Sequence, residues 1–381
     1  MKNKYSLYEN WQKAQYLNRQ NRFVMDFEKD GSKLSAYVPN TGRMTEFRFD
    51  GHPFYLAPVQ SKKFNFRVVA TKYQNSYVIL DTVKVNDIFQ ELLNHNFIPE
   101  FENIKSIRRE YTIGNSRFDF LISTQKDQKV LIEIKSCTLC HNDVAMFPDA
   151  PTKRGRKHIR QLNELAKQGY ESYVYYLVLN KSAKYFIPDF HIDFQYGKTF
   201  LKASNVNFRA LRLHIADPVS IDLAATKAIP VKKSIVDRHC TKKGSYILVM
   251  ENEEDAQYEI GAQGIMDFPQ GFYVYVGSAM TNLNKRIKRH KRKRKKTHWH
   301  IDHLTGGEME IVEDYRIRRS DRIESQLSKE IESLAGKSIA GFGASDTEDN
   351  SHLHYFPRNP VDNQKFYSII LDYMTSMKAR D

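Results

Sequence analysis

Along the first hundred residues the period of apolar positions changes from two to about three and a half. RFVMDFEKDG alternates and ends on Asp30-Gly31, a hairpin signal. SKLSAYVPNTGRM follows, and then several short strands between turn residues; together they predict a small barrel over 1–85. NDIFQELLNHN is helical, with Ile88, Leu92 and Leu93 on one side. RFDFLIS and KVLIEIKS are strands joined by polar TQKDQK. GRKHIRQLNELAKQG is a helix carrying Ile159, Leu162 and Leu165 on one face, and Gly169 suits its C′ position. SYVYYLVLN is a buried strand, so 86–230 is expected to be a mixed α/β core. The basic stretch AIPVKKSIVDRHCTKKG lacks apolar periodicity and predicts a linker over 231–243. Beyond it lie the strands SYILVM and GFYVYVGSA, a basic helix, and the helix DRIESQLSKEIESLAG with the stripe Ile323, Leu327, Ile331 and Leu334. These define a domain over 244–360, with 361–381 as a C-terminal helix or tail. No internal repeat is visible. The expected fold is multidomain α/β.

At 381 residues the chain exceeds one ordinary core. It holds 41% hydrophobic and 27% charged residues, the balance of a soluble globular protein. No apolar run reaches the roughly 18 residues of a membrane span. MKNKYSLYENWQK lacks the apolar region of a secretory signal, so a cytoplasmic protein without a membrane partner is expected. Three cysteines are too few for a disulfide framework. The net charge is +14, and ten Lys and Arg fall in KRIKRHKRKRKK at 285–296, which has no acid. Phosphate binding is the functional interpretation of such a run; a solvated helix face or a targeting patch is the bland one.

In an extended strand, Leu131, Glu133 and Lys135 share a face, and Ile132 and Ile134 take the other. Asp119 interrupts another strand between Phe118 and Phe120. If the two strands pair across their loop, Asp119 sits beside Glu133. Two such carboxylates repel unless a divalent cation lies between them, and hard oxygen ligands favour Mg²⁺ or Mn²⁺. Lys135 would then contact a scissile phosphate or orient water. The alternative is a surface strand with an ordinary salt bridge. The same stretch, LIEIKSCTLCH, ends in C-x-x-C-H. Haem attachment needs export, for which no signal is visible, and zinc would need a fourth ligand beyond Cys137, Cys140 and His141. An incidental loop of two thiols is the expectation.

RFDFL, LIEIKS, VAMFPDAPTKRGRKHIRQL and PNTGRM resemble the sugar fermentation stimulation (SfsA) family over about residues 15–230. That resemblance implies an N-terminal OB-type nucleic-acid-binding barrel followed by a PD-(D/E)XK-type nuclease core. It implies metal-dependent nuclease activity on DNA, with Asp119 and Glu133 as metal ligands and Lys135 as catalytic lysine. Arg43 joins the nucleic-acid-binding set. Arg154, Arg156, Lys157 and His158 become expected phosphate contacts at a helix start, where cations oppose the helix dipole and need a reason to be there.

Near the C-terminus, GSY (244–246) and YVG (275–277) lie on two apolar strands, with Arg286 in the basic helix and Glu324 on a later one. Two tyrosines, an arginine and a glutamate have the parts of another phosphodiester site: the glutamate for a metal, the arginine for developing charge, a tyrosine for water. His290, His298 and His300 are further candidates for proton transfer. Packed aromatics and an exposed helical glutamate are the bland alternative. GSYILVM, FPQGFYVYVGSA, RIKRH, KKTHWHIDHL, GFGASD and SHLHYF resemble a GIY-YIG-related α+β domain over about 240–357. This implies Tyr246 and Tyr275 near the water, Arg286 on phosphate, and Glu324 as a metal ligand. GSY in place of GIY departs from the pattern.

The combined expectation is a Mg²⁺- or Mn²⁺-dependent nuclease of DNA, with RNA a further candidate substrate and a homodimer left open. Lys285, Lys288, Arg289, Arg292, Arg294 and His300 complete the expected nucleic-acid contacts. The rival is a sequence-independent DNA-binding or regulatory protein with vestigial sites.

Overall fold

The computed structural model describes residues 4–101, 103–343 and 349–377. The GFGASD motif runs into 344–348, and the expected tail into 378–381; those parts lie outside the described residues. The chain divides into two compact units, residues 1–237 and 238–381.

The first unit begins with a barrel. Asp30 and Gly31 adopt φ of 50° and 75°, the left-handed pair a tight hairpin requires, and join strands Val24–Lys29 and Ser32–Tyr37. Gln12–Asn21 pairs with Val24–Lys29 on one side and Pro53–Pro58 on the other, and Pro53–Pro58 pairs with Phe66–Tyr73. A parallel bridge from Tyr37 to Arg67 closes the ring, and Ser76–Ile79 continues from Phe66–Tyr73 as a hairpin. Inside lie Met25, Phe27, Ala36, Val38, Phe54, Leu56 and Val68. Closure leaves the sheet no long unpaired edge.

The second part of this unit is a sheet of seven strands among the described residues. Its order is Lys4–Ser6, Ser220–Ile229, Asn207–Asp217, Glu171–Val178, Lys129–Cys137, Ser116–Thr124, Ile104–Ile113. Glu171–Val178 runs parallel to both of its neighbours; the other pairs are antiparallel. The central strands read as continuous apolar runs because both faces are covered. Helix Val85–Asn94 buries Ile88, Phe89, Leu92 and Leu93 on one face, and helix Lys153–Ala166 buries Ile159 and Leu162 on the other. Thr152 caps the latter helix by accepting from Gly155 N–H, and Gly169 at φ 95° ends it. There Gly169 N–H bonds Ala166 O and Tyr170 N–H bonds Leu165 O, a Schellman closure.

Three sequence expectations need correction. The first strand, Lys4–Ser6, belongs to the central sheet, not to the barrel. The segment expected as linker contains helix Lys233–His239, whose Ile235 and Val236 are buried. The basic helix stops at His290, so the KRKRKK half of the run is not helical.

The second unit is α+β. Its antiparallel sheet runs Glu310–Ile317, Gly244–Asn252, Gly271–Ala279, Leu353–Phe356, Lys337–Ser338. Helices Leu283–His290, His300–Gly306, Glu324–Glu332 and Gln364–Thr375 accompany it. Leu327 and Ile331 are buried from the expected stripe, whereas Leu334, past the helix end, is only half-buried.

Candidate functional site

Strands Ser116–Thr124 and Lys129–Cys137 pair from Lys129↔Ser123 to Ile132↔Phe120 and then part. The next pair in that register would be Glu133 with Asp119. Where the ladder stops, Asp119 takes the place of a backbone partner: its Oδ2 accepts from Ile134 N–H at 2.7 Å. Its Oδ1 accepts from Asn86 Nδ2 at 2.9 Å, so the start of helix Val85–Asn94 fixes the carboxylate from the other side. Glu133 is buried, and its Oε1 meets both Lys135 Nζ and His158 Nδ1. Its Oε2 is buried with no hydrogen-bond partner. Burial, then the neighbouring Glu133, pushes the Asp119 carboxyl above its ordinary range. Burial pushes Glu133 the same way, but Lys135 and His158 outweigh it and leave that carboxyl below its ordinary range.

Asp119, Glu133 and Lys135 are therefore brought together. Two opposed carboxylates, one with an orphaned oxygen, are a hard-oxygen donor set that suits a small divalent cation. Among the described residues no group of three or more His, Cys, Asp and Glu side chains is arranged to hold a metal. A cation here would thus keep water in much of its shell, as Mg²⁺ commonly does with one or two carboxylates.

The basic helix start behaves differently from expectation. Arg156 is paired with the buried carboxylate of Asp193, which also accepts from Thr152 N–H. His158 is buried against Glu133 and cannot face a phosphate at the surface. Arg154 and Lys157 are exposed, with Lys157 Nζ 2.7 Å from Asn115 O. Arg43 is exposed on the Pro39–Met44 loop of the barrel. In the C-x-x-C-H stretch, Cys137 donates to Met146 O at 3.1 Å, Cys140 lies 3.3 Å from Ser182 Oγ, and His141 Nδ1 lies 2.7 Å from Tyr73 Oη. Each group is spent on packing between neighbouring segments.

The second unit holds another cluster. Tyr246 is buried, and its hydroxyl lies 2.8 Å from His290 Nε2. His290 Nδ1 lies 3.2 Å from Asp302 Oδ1. Asp302 is buried, takes both oxygens to Arg289, and accepts from the His298 and Trp299 N–H groups. Burial drives the Tyr246 hydroxyl well above its ordinary range, and Tyr275 adds to this while Arg286 opposes it. Burial likewise lowers His290, against the pull of Asp302. The rings of Tyr246 and Tyr275 are 6.2 Å apart and straddle Gly277, where any Cβ would fall 2.5 Å from the Tyr246 ring. Arg286 stacks on Trp299 at 3.9 Å. Glu324, in the first turn of its helix, lies 3.7 Å from His352 Nδ1.

The basic run divides by use. Lys285, Lys288, Arg292 and Arg294 are exposed. Arg289, expected on nucleic acid, is committed instead to Asp302, to Lys296 O and to the Trp299 ring. Lys295 is buried against His290 O and Thr305 and pushed down to about 8 by that burial. His300 accepts from Gly343 N–H at 3.3 Å and packs on Phe342, which makes it a packing residue in part. Sequence reasoning missed Asn86, Asp193 and Asp302, the groups that hold Asp119, Arg156 and His290. No local spacing marks them, because each partner lies 12 to 37 residues away. The barrel also carries a groove of about 600 Å³ lined by Lys33, Lys62, Lys63, Phe64 and Phe66.

Residues 17–80 match the model of the SfsA N-terminal OB domain, and 84–218 match that of the sugar fermentation stimulation protein RE domain. A sugar fermentation stimulation protein homolog of Desulfitobacterium hafniense is 34% identical over 54% of this chain and 90% of that protein. This chain belongs to the sugar fermentation stimulation protein family. A Clostridium kluyveri homolog is 36% identical over 51% of the chain and 86% of its own length. Among solved structures, that of Pyrococcus furiosus SfsA in complex with Ca²⁺ is 29% identical with a TM-score of 0.54, covering 60% of this chain and 99% of that one. The family likeness thus accounts for the first unit. Residues 245–374 match a domain of unknown function, DUF123. No described helix is long and apolar enough to cross a membrane.

Proposed function

We propose that this SfsA-family chain is a divalent-metal-dependent nuclease of DNA whose principal centre is Asp119, Glu133 and Lys135, in a PD-(D/E)XK-type core. The carrying observation is the convergence of the two carboxylates where their strands part, with Lys135 on Glu133. The Pyrococcus furiosus relative was solved in complex with Ca²⁺, which supports use of a divalent cation. When bound, Mg²⁺ or Mn²⁺ would supply charge neutralisation and an activated water. The chain's own groups do the rest. Asn86 and Ile134 N–H keep Asp119 aimed at the site; His158 holds Glu133; Lys135 places a cation beside the phosphate. The exposed Arg154, Lys157 and Arg43, and the Lys- and Phe-lined groove of the barrel, suit a polyanion with flat bases.

The second unit is proposed as a GIY-YIG-like centre on the same substrate. Tyr246, Tyr275, Arg286 and Glu324 supply its groups, and His290, 2.8 Å from the Tyr246 hydroxyl, orients that hydroxyl. The rival, a DNA-binding protein without cutting, is favoured by the absence of a three-residue metal cluster among the described residues. One assay separates them. Labelled single- and double-stranded DNA and RNA are incubated with Mg²⁺ or Mn²⁺ and wild type, Lys135→Ala, Glu324→Ala or the double variant. Cutting weakened in Lys135→Ala and lost in the double variant, with binding kept, supports the nuclease; binding without cutting by wild type refutes it.

A further inference from the structure

Two motifs that the nuclease centre does not use, PNTGRM and MFPDAP, meet around one cavity. It holds about 130 Å³ and is lined by Asn40, Thr41 and Gly42 from the barrel, Thr82, then Ser136, Thr138 and Leu139, then Met146, Phe147 and Asp149. Two of its segments adjoin the candidate centre along the chain. Ser136 follows Lys135 on the same strand, and Thr82 lies one turn before Asn86, the residue that holds Asp119.

The walls are fixed. Arg19 donates to the carbonyl oxygens of Asn40, Gly42 and Arg43, and so ties down the loop that forms one wall. Asn40 Oδ1 accepts from Gly42 N–H at 2.8 Å, and Thr82 donates to Pro39 O at 2.8 Å. A Cβ on Gly42 would fall 1.9 Å from Asp149 Oδ2, so only glycine brings the two motifs this close. Phe147 is held from behind by Tyr176 and Tyr196. Thr41, at the rim, is exposed.

The lining selects the occupant. Four hydroxyls and an amide share the wall with Leu139, Met146 and Phe147, so the lining offers both hydrogen bonds and apolar contact. Asp149 is the acidic side chain in the wall, and among the described residues no Lys or Arg lines the cavity to receive a phosphate. Arg19, the half-buried cation that ties down the Asn40–Arg43 loop, already has its donors placed on carbonyls. The volume is close to the ~150 Å³ that admits one benzene ring in an apolar cavity. Arg43, exposed and next to Gly42, is placed for the adjoining phosphate.

We propose that this cavity receives one unstacked base, a pyrimidine in preference to a purine, of the nucleic-acid strand held at the Asp119–Glu133–Lys135 centre. The inference rests on the nuclease proposal for its choice of polymer, but its test does not need cutting. An enclosed base makes a single strand, or a frayed end, the substrate class, since a paired base must first leave its stack.

Binding is measured by fluorescence anisotropy in EDTA with three labelled pentamers: thymidylate, deoxyadenylate, and an abasic sugar–phosphate chain of equal charge. Wild type is expected to bind the thymidylate at least about 10-fold more tightly than the abasic pentamer, in line with base contacts elsewhere. Thr41→Trp and Thr41→Leu, which fill the rim from an exposed position, should bring the two affinities together while the melting temperature stays at the wild-type value. Equal wild-type affinities for thymidylate and abasic pentamers would overturn the inference. So would a base preference that survives both substitutions. Thymidine monophosphate competing as well as the pentamer would show a free-nucleotide site and overturn the assignment to a strand. Cutting of longer oligonucleotides with Mg²⁺, run in parallel, reports separately on the nuclease proposal.

Discussion

Asn86, half-buried at the candidate centre, and Glu46, buried in the turn Thr45–Phe47, have opposite duties. Asn86 satisfies Asp119 Oδ1 and was invisible in the sequence except as the second residue of an amphipathic helix. Supporting hydrogen bonds of this kind are worth about 10–100-fold in metal affinity or activity. Asn86→Ala is therefore expected to raise the Mg²⁺ concentration for half-maximal cutting by about that factor, with the oligonucleotide affinity in EDTA unchanged. A metal titration of cutting checks this, and an unshifted midpoint removes Asn86 from the site. Glu46 lies buried in the turn Thr45–Phe47, with Oε1 unpartnered, and burial lifts its carboxyl to about 8. Asp189, also buried and with Oδ2 unpartnered, is lifted to about 7 by the same cause. Both values are raised above those of an unfolded chain, near 4, so the folded state keeps protons that the unfolded state has lost. The stability this gives is complete below about pH 4 and declines as pH rises through 7 to 8, by up to about 1.4 kcal/mol per pH unit and group. Urea unfolding of the first unit between pH 5 and 9 should show that decline, and Glu46→Gln should flatten it. A wild-type curve that is level or rises over this interval would contradict the assignment.

At the scale of elements, a helix start and a glycine do the positioning. Helix Lys153–Ala166 brings His158 onto Glu133 because Thr152 caps it and Gly169 closes it. Thr152→Ala is expected to cost about 1 kcal/mol in urea unfolding. Gly277→Ala should cost more in the second unit, because its Cβ would meet the Tyr246 ring at 2.5 Å and the Tyr275 ring at 2.9 Å. Thermal melting of the two variants compares them, and a neutral Gly277→Ala would mean that the tyrosines are free to move apart. These same elements mark what the sequence could express. The 30–31 hairpin, the helix around Ile159 and Leu162, and the Asp119–Glu133–Lys135 strands were legible because period, turn residues and a short loop determine them locally. Lys4–Ser6 was not, since its sheet partner lies more than two hundred residues away. Helix Lys233–His239 was hidden by its shortness and its lysines. Arg156, Arg289 and His158 looked like surface cations because nothing nearby in sequence reveals the buried carboxylates that claim them.

Over the whole molecule, the charge of +14 must be divided into cations that face solvent and cations that hold the fold. Exposed Lys285, Lys288, Arg292 and Arg294 belong to the first class, and Arg289 to the second, since it meets buried Asp302 with both oxygens. The two classes separate by salt. Each side chain that neutralises a phosphate of duplex DNA contributes about 0.9 to the slope of log affinity against log salt. Single Gln substitutions at Lys285, Lys288, Arg292 and Arg294 are expected to make that slope shallower by about this amount wherever the side chain touches phosphate, with melting unchanged. Arg289→Gln is expected to do the reverse. It leaves Asp302 buried without its guanidinium, a loss of roughly 2–3 kcal/mol once the partial exposure of Arg289 is allowed for. It lowers the melting temperature of the second unit while the salt slope stays near the wild-type value. Anisotropy titrations at 50 to 200 mM salt, paired with calorimetry, read both quantities. A shallower slope for Arg289→Gln at unchanged stability would place that guanidinium on DNA after all, and a flat salt response of the wild type would deny the basic run any contact with phosphate.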